Sequence, residues 1–372
     1  LFQINGKELF FSLNPTTFEP EFVLATKNIA YNYNGKILRI KNRSFDLGTT
    51  DNHNHFVNIR KRGLSRSDTE WEFRKSTKLP TEFKIPRGIN WVGVNKEIVI
   101  GNNKFSAEQF SRFMGYYLSE GYSRAESGND WVIVCQSDEV KKDKIYQDLL
   151  VDLPNVYGLK KISNGVTFKD AHLNKYLHQF GKSNQKFIPS EIKRFSSEAI
   201  RKFLDAFNFG DGWIVKGKIF NGHQFNDSKF YKTSSKRLAD DLGELILKVG
   251  QYPSYSLVKC GGKEQKFNNG TYTINNDCWV IAENKRTTYH SKCEDLKWED
   301  YDGMVYDVEL EKNHILYVRY NGKCCWTGNC KELWKGRAPL IDVAYWEVLT
   351  GGINTEGGVI DVEHLASTIE TS

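Results

Sequence analysis

The sequence predicts a multidomain chain in which an all-β domain is interrupted by an inserted α/β domain. Three observations carry that prediction. Alternating apolar and polar residues fill positions 1–60 and return from Asp302 onward. Between them, from 130 to 290, strand patterns alternate with helical ones. Two helical stretches, one just before that interval and one within it, end in the same acid–Gly–aromatic triplet, at positions 120–122 and 211–213.

The bulk composition permits this and narrows the function classes. Of 372 residues, 39% are hydrophobic and 26% charged, as in ordinary globular proteins. No apolar run approaches the roughly 18 residues that cross a bilayer, so no membrane is expected as a partner. A formal net charge of +6 permits a polyanionic partner without demanding one. The seven cysteines have no zinc-ligand spacing and are odd in number, which predicts reduced thiols in a cytosolic compartment.

Each element follows in order. The runs "IAYNY" and "KILRIK" are separated by Asn34-Gly35, a sequence that favours a two-residue hairpin. Residues 61–104, with Pro80 and Pro86, read as loops and short strands. At "SAEQFSRFMGYYLSEG", Ser106 and Gln109 form a capping box, and Phe110, Phe113, Met114 and Tyr117 recur at helical spacing. That helix should stop at Gly121, a residue suited to a left-handed cap. "DWVIVCQ" and "YTINNDCWVIAEN" read as strands, and "EVKKDKIYQDLLVDL", "SEAIRKFLDAFNF" and "SKRLADDLGELILKVG" as helices. The β pattern then resumes in "MVYDVELEKNHILYVRY", turns at Asn321-Gly322 and continues through Cys324 and Cys325 as strand residues. The predicted domains are 1–104 and 294–329 for the β domain, 105–293 for the insertion, and 330–372 for a segment of different character.

The two matched helices carry chemistry. "FMGYYLSEGY" and "LDAFNFGDGW" each place small residues four apart: Gly115 and Ser119, then Ala206 and Gly210. Such faces let helix backbones approach closely. Packing through them would bring Glu120 and Asp211 side by side, each at the negative end of its helix dipole. Paired carboxylates there need a cation, and an all-oxygen, water-retaining site points to Mg²⁺. Mg²⁺ between carboxylates and a phosphate is the equipment of phosphodiester hydrolysis. One acid–Gly ending is ordinarily only a helix stop; two matched copies are not.

These paired motifs resemble those of the LAGLIDADG (dodecapeptide) homing endonucleases. The resemblance implies an α/β domain of two pseudo-symmetric αββαββα-like halves that acts as a monomer on double-stranded DNA. It places metal-binding carboxylates at Glu120 and Asp211. It also implies basic residues near the cut phosphates: Lys186 in "KSNQKFIPSEI" and Lys285 in "AENKRTTYH". Without the motif, either lysine reads as a solvated surface charge.

The interrupted domain carries a second resemblance. "FSLNPTTFEPEF", then Thr50-x-x-His53 in "FDLGTTDNHNHFV", then "MVYDVELEKNHILYVRYNGKCCWTGNC" resemble, in that order, the blocks of an intein with the all-β, horseshoe-like Hint fold. The resemblance implies protein splicing. Thr50 and His53 would polarise and protonate the upstream scissile amide. Asn329 would cyclise on its own backbone carbonyl to cut the 329–330 bond, with Cys330 as the acceptor nucleophile and no cofactor. Asp307 and His314 match residues of the penultimate block. Inteins commonly carry His before the terminal Asn; here it is Gly328, which shifts that assistance onto His314. The family opens with Cys or Ser, whereas this sequence opens at Leu1, which predicts a truncated or split element. Residues 330–372 would be the downstream host protein (extein) in cis. The alternative is a freestanding endonuclease or nucleic-acid-binding maturase without splicing.

Overall fold

The computed structural model describes residues 9–42, 45–60, 69–126, 129–217, 219–220, 223–224, 227–267, 270–285, 288–320 and 323–329. Cys330, the segment 330–372 and the Asn321-Gly322 turn lie outside the described residues. The chain divides into two compact units. One comprises residues up to Pro86, His290–Asn321 and from Cys325 onward; the other comprises Arg87–Tyr289 with Gly322–Cys324.

The first unit is built of strands. Leu9–Leu13 pairs antiparallel with the start of a 22-residue strand, Pro20–Lys41, through Leu9↔Leu24 to Leu13↔Pro20. The long strand then pairs with Leu296–Leu310, from Ala25↔Leu310 to Ile40↔Leu296. Its far end also pairs with Asp46–Thr50. Phe10, Phe11, Leu13, Ile37, Ile40, Leu316 and Trp326 form its buried core.

The expected Asn34-Gly35 hairpin is absent. The long strand runs straight through, with Asn34↔Asp302 and Gly35↔Tyr301. The backbone groups that a turn would use are satisfied by a partner strand remote in sequence, so tertiary pairing overrides the local signal. Gly35 serves another purpose: a Cβ there would lie 2.8 Å from the Tyr33 hydroxyl, and Tyr301 likewise covers Gly303. An aromatic ring laid over a strand glycine shields its backbone.

The second unit repeats one pattern. Helix α1 (Ala107–Glu120) is followed by strands Gly121–Glu126 and Asn129–Cys135, α2 (Glu139–Asp152), strands Tyr157–Ile162 and Gly165–Lys169, and α3 (Ala171–His178). After the short α4 (Ser190–Arg194) come α5 (Ser197–Asp211), strands Gly212–Val215 and Ser228–Thr233, α6 (Lys236–Lys248), and strands Tyr252–Val258 and Cys278–Asn284. In both halves the strands order identically, counted within each half as first, second, fourth, third. The stretch read as one strand over 272–284 is two strands, Gly270–Thr273 and Cys278–Asn284. Residues 274–277 separate them, and Asp277 accepts backbone N–H bonds from Cys260 and Gly261.

Local chemistry explains the helix starts. Ser106 accepts the Gln109 N–H, and the Gln109 side chain returns to Ser106 N–H, completing the capping box. Asp138, Asp170, Ser196 and Ser235 cap the starts of α2, α3, α5 and α6. The apolar faces of α1 and α5 are buried, led by Phe110, Phe113, Met114, Phe203 and Phe207.

Candidate functional site

Helices α1 and α5 pack through their small residues. A Cβ on Gly115 would sit 2.6 Å from the Phe203 carbonyl oxygen and 2.7 Å from the Ala206 Cβ. A Cβ on Gly210 would collide with Ser119 and come within 2.7 Å of the Glu120 Cγ. A larger residue at Gly115 would meet the backbone of α5, and one at Gly210 the Ser119 and Glu120 side chains, so the two glycines set the close approach. That approach brings the last residues of the helices, Glu120 and Asp211, into one electrostatic environment.

The helix ends differ from the expectation. Gly121 has φ −92° and Gly212 φ −143°, so both are extended rather than left-handed. Each begins a strand at once. Glycine is required for space instead: a Cβ at Gly121 would be 2.7 Å from the Tyr117 Cα, and one at Gly212 would be 2.7 Å from the Asn208 Cα.

Burial, and then Glu120 beside it, push the Asp211 carboxyl up to about 7. Burial raises Glu120 as well, against the pull of Lys186 and Lys141. Each carboxyl therefore keeps its proton to higher pH than it would alone in water. Lys186 is 7% exposed and donates to the Tyr117 and Leu118 carbonyls at 3.1 Å and the Gly121 carbonyl at 2.8 Å. It thus occupies the C-terminal carbonyls of α1. Burial lowers its ammonium to about 8, against the pull of Asp211 and Glu120. Lys141 Nζ donates to the Phe209 carbonyl at 2.8 Å, at the matching end of α5.

Lys285 does not join this cluster. It is exposed and acts on Asp227. Besides Lys186, the lysine that acts on Asp211 is Lys232, on the strand Ser228–Thr233. Strand register sets the place of Lys232. Gly121 opposes Val134 and Gly212 opposes Tyr231, so Lys232 occupies the position of Cys135 in the first half. Sequence spacing carries no trace of that equivalence. Lys141 was missed for a similar reason, being a single lysine among three on α2.

The residues present fit a hard divalent cation. Two carboxylates converge where two helix dipoles present their negative ends. Among the described residues, neither is hydrogen-bonded or in an ion pair at 4 Å or closer, and no third Asp, Glu, His or Cys joins them in a metal-binding group. A two-carboxylate, water-completed set is what Mg²⁺ accepts alongside a phosphate.

A second constellation lies in the β unit. Thr50 ends the strand Asp46–Thr50, and the His53 N–H donates to the Thr50 carbonyl at 3.3 Å. Both side chains are fully buried. His53 Nε2 lies 2.7 Å from Thr327 Oγ1, on the strand Lys323–Gly328. Asn329 is 1% exposed; its backbone N–H donates to the His314 carbonyl at 2.9 Å and its side-chain amide to the Val308 carbonyl at 2.8 Å. Asn313 and His314 both have positive φ, 66° and 53°, a left-handed turn that aims the His314 carbonyl at Asn329. The buried atoms His314 Nδ1, His53 Nδ1 and Asn329 Oδ1 have no hydrogen-bond partner among the described residues. Asp307 is buried and accepts the Val308 N–H at 2.8 Å. The structure thus brings His53 against Thr327 on the strand leading to Asn329, and the His314 and Val308 carbonyls onto Asn329 itself.

No known family model matches the chain. Over 349 aligned residues it is 25% identical to the DNA-directed RNA polymerase subunit beta C-terminal section of Stigeoclonium helveticum, covering 81% of this chain and 32% of that protein. The chain therefore spans about a third of the length of that curated relative. Among solved structures it is similar to the crystal structure of I-DmoI in complex with DNA and Mn, at 12% identity and TM-score 0.31, with 48% of this chain and 89% of that one covered. Among the described residues, no helix is long and apolar enough to cross a membrane.

Proposed function

We propose that the α/β unit cuts double-stranded DNA with Mg²⁺, as a homing endonuclease of the LAGLIDADG kind acting as a monomer. The observation that supports it best is the convergence of Glu120 and Asp211 at the ends of two glycine-packed helices, with both carboxyls raised. Glu120 and Asp211 would hold Mg²⁺, which when bound supplies positive charge at the scissile phosphate and an acidified water. Lys232 is the flexible cation beside Asp211, suited to a phosphate oxygen. Lys186, tied to three helix carbonyls, keeps the end of α1 in place and tempers the carboxylate repulsion. Glu120→Gln and Asp211→Asn should each remove metal-dependent cutting of DNA carrying the uninterrupted host site. Cutting that persists in the double variant would move the active site elsewhere.

A second activity is favoured by Asn329. Its side chain is buried and held by Val308, and its backbone by His314. Cyclisation needs the side-chain amide nitrogen fixed near its own carbonyl in one conformation. The β unit accordingly belongs to a Hint-type splicing element that breaks the 329–330 bond and passes residues from Cys330 onward to the host chain. His314, whose carbonyl accepts the Asn329 N–H, would be the group that assists. Mass spectrometry of purified protein should show a 330–372 fragment that Asn329→Ala abolishes. Equal release from the variant would leave a freestanding endonuclease as the reading.

A further inference from the structure

One lysine of the α/β unit has no role in the reading above. Lys141 Nζ donates to the Phe209 carbonyl at 2.8 Å, across 68 positions of sequence. Phe209 lies two residues before Asp211, in the last turn of α5, where helix carbonyls have no partner within the helix. At the end of α1 the Gly121 N–H returns to the Tyr117 carbonyl. Among the described residues Gly212 makes no such return bond into α5. A cation closes that end instead, as lysines can at helix C-termini.

Lys141 is itself held in place. Its backbone N–H donates at 2.9 Å to the side chain of Asp138, which caps α2. Its ammonium lies 5.3 Å from the centre of the Phe209 ring, and that ring packs edge-on against Tyr116 of α1, with centroids 6.2 Å apart. The positive end of the α2 dipole thus meets the negative end of α5. The Lys141 charge also acts on Glu120, at the end of α1. One ammonium is therefore bonded to the helix that carries one acid and attracts the other acid.

The end of α1 is built in the same way with the halves exchanged. Lys186 donates to the Tyr117, Leu118 and Gly121 carbonyls. Its own carbonyl accepts, at 2.7 Å, the hydroxyl of Ser235, the residue that caps α6. In chain order α2 follows α1 and closes α5, while α6 follows α5 and anchors the lysine that closes α1. Each half steadies the end of the other half's helix. The counterpart of Lys186 is Lys141, not Lys285.

We propose that Lys141 is a positioning residue of the metal site, clamping the end of α5 to the start of α2 so that Asp211 keeps its place beside Glu120. This rests on the reading that Glu120 and Asp211 hold Mg²⁺ for DNA cutting.

The test uses the full chain, with Mg²⁺ alone in titration calorimetry and with DNA carrying the uninterrupted host site in kinetics. Lys141→Met should weaken Mg²⁺ binding and lower kcat by about tenfold or more, as loss of a group that orients metal ligands does. KM for DNA should stay within about twofold, because the clamp does not touch the substrate. Lys141→Arg should restore Mg²⁺ binding and kcat. In the unsubstituted chain, NMR should show a slowly exchanging Lys141 ammonium coupled to the Phe209 carbonyl, a readout that holds even if Lys141→Met does not fold. Unchanged Mg²⁺ binding in a folded Lys141→Met, a rise confined to KM, or a freely exchanging ammonium would each overturn the proposal. If the unsubstituted chain neither binds Mg²⁺ nor cuts DNA, the nuclease reading fails, and the ammonium coupling alone decides whether Lys141 clamps α5.

Discussion

Replacing Asp211 by Asn should make the α/β unit more stable at alkaline pH while abolishing its metal-dependent chemistry. Asp211 is raised from 3.8 to about 7 in the folded chain. The folded state therefore binds more protons than the unfolded state between those values. Stability falls as pH rises through that window, and the loss is complete above the folded value. A difference of roughly three units corresponds to an upper bound of about 4 kcal/mol, and the partial exposure of the site brings the expected cost to about 2–4 kcal/mol. Asn keeps the shape and removes the charge. Urea unfolding monitored at pH 8 in EDTA should place Asp211→Asn above the unsubstituted protein by that margin, with the gap closing towards pH 4. Mg²⁺ at pH 8 should stabilise the unsubstituted protein alone, because binding to the folded state adds to its stability. Equal stabilities at pH 8 without metal, or a gap that widens on acidification, would refute the account of a strained carboxylate pair.

Other outcomes follow from the same geometry. Gly210→Val should destabilise the unit by about 1–3 kcal/mol or more and abolish cutting, because the added carbons meet Ser119 and Glu120; denaturation and nuclease assays read both. Lys232→Ala should lower the rate of DNA cutting by about tenfold or more, while Lys285→Ala should leave it within a few-fold, since Lys285 lies exposed near Asp227. Cutting should decline as pH falls below about 7, where Asp211 gains its proton and loses its hold on the metal; a rate flat from pH 8 to 5 contradicts this. Gly35→Val should destabilise the β unit by about 1–3 kcal/mol, since the new side chain displaces the Tyr33 ring; thermal unfolding measures it.

Much of this was legible in residue order. Helices α1, α2, α5 and α6 were visible in apolar spacing and capping residues, because those signals act within four positions of each other. The small faces of α1 and α5 were legible for the same reason. What no local rule carried were relations between strands. The Asn34-Gly35 pair looks like a turn until Leu296–Leu310 supplies a partner along its whole length. Lys285 and Lys232 are both strand-associated lysines, and only register assigns one of them to Asp211. Gly121 reads as a left-handed helix stop, yet it and Gly212 are extended and serve for space behind a helix end.

By itself the sequence determined the helical elements, the twin acids and the order Thr50, His53, Asp307, His314, Asn329. The tertiary structure alone decided that the acids share one electrostatic environment and that His53 meets Thr327. The physical reason is range. Helix periodicity and capping are fixed by hydrogen bonds between near neighbours in the chain, whereas strand pairing and charge proximity depend on which distant segments fold together.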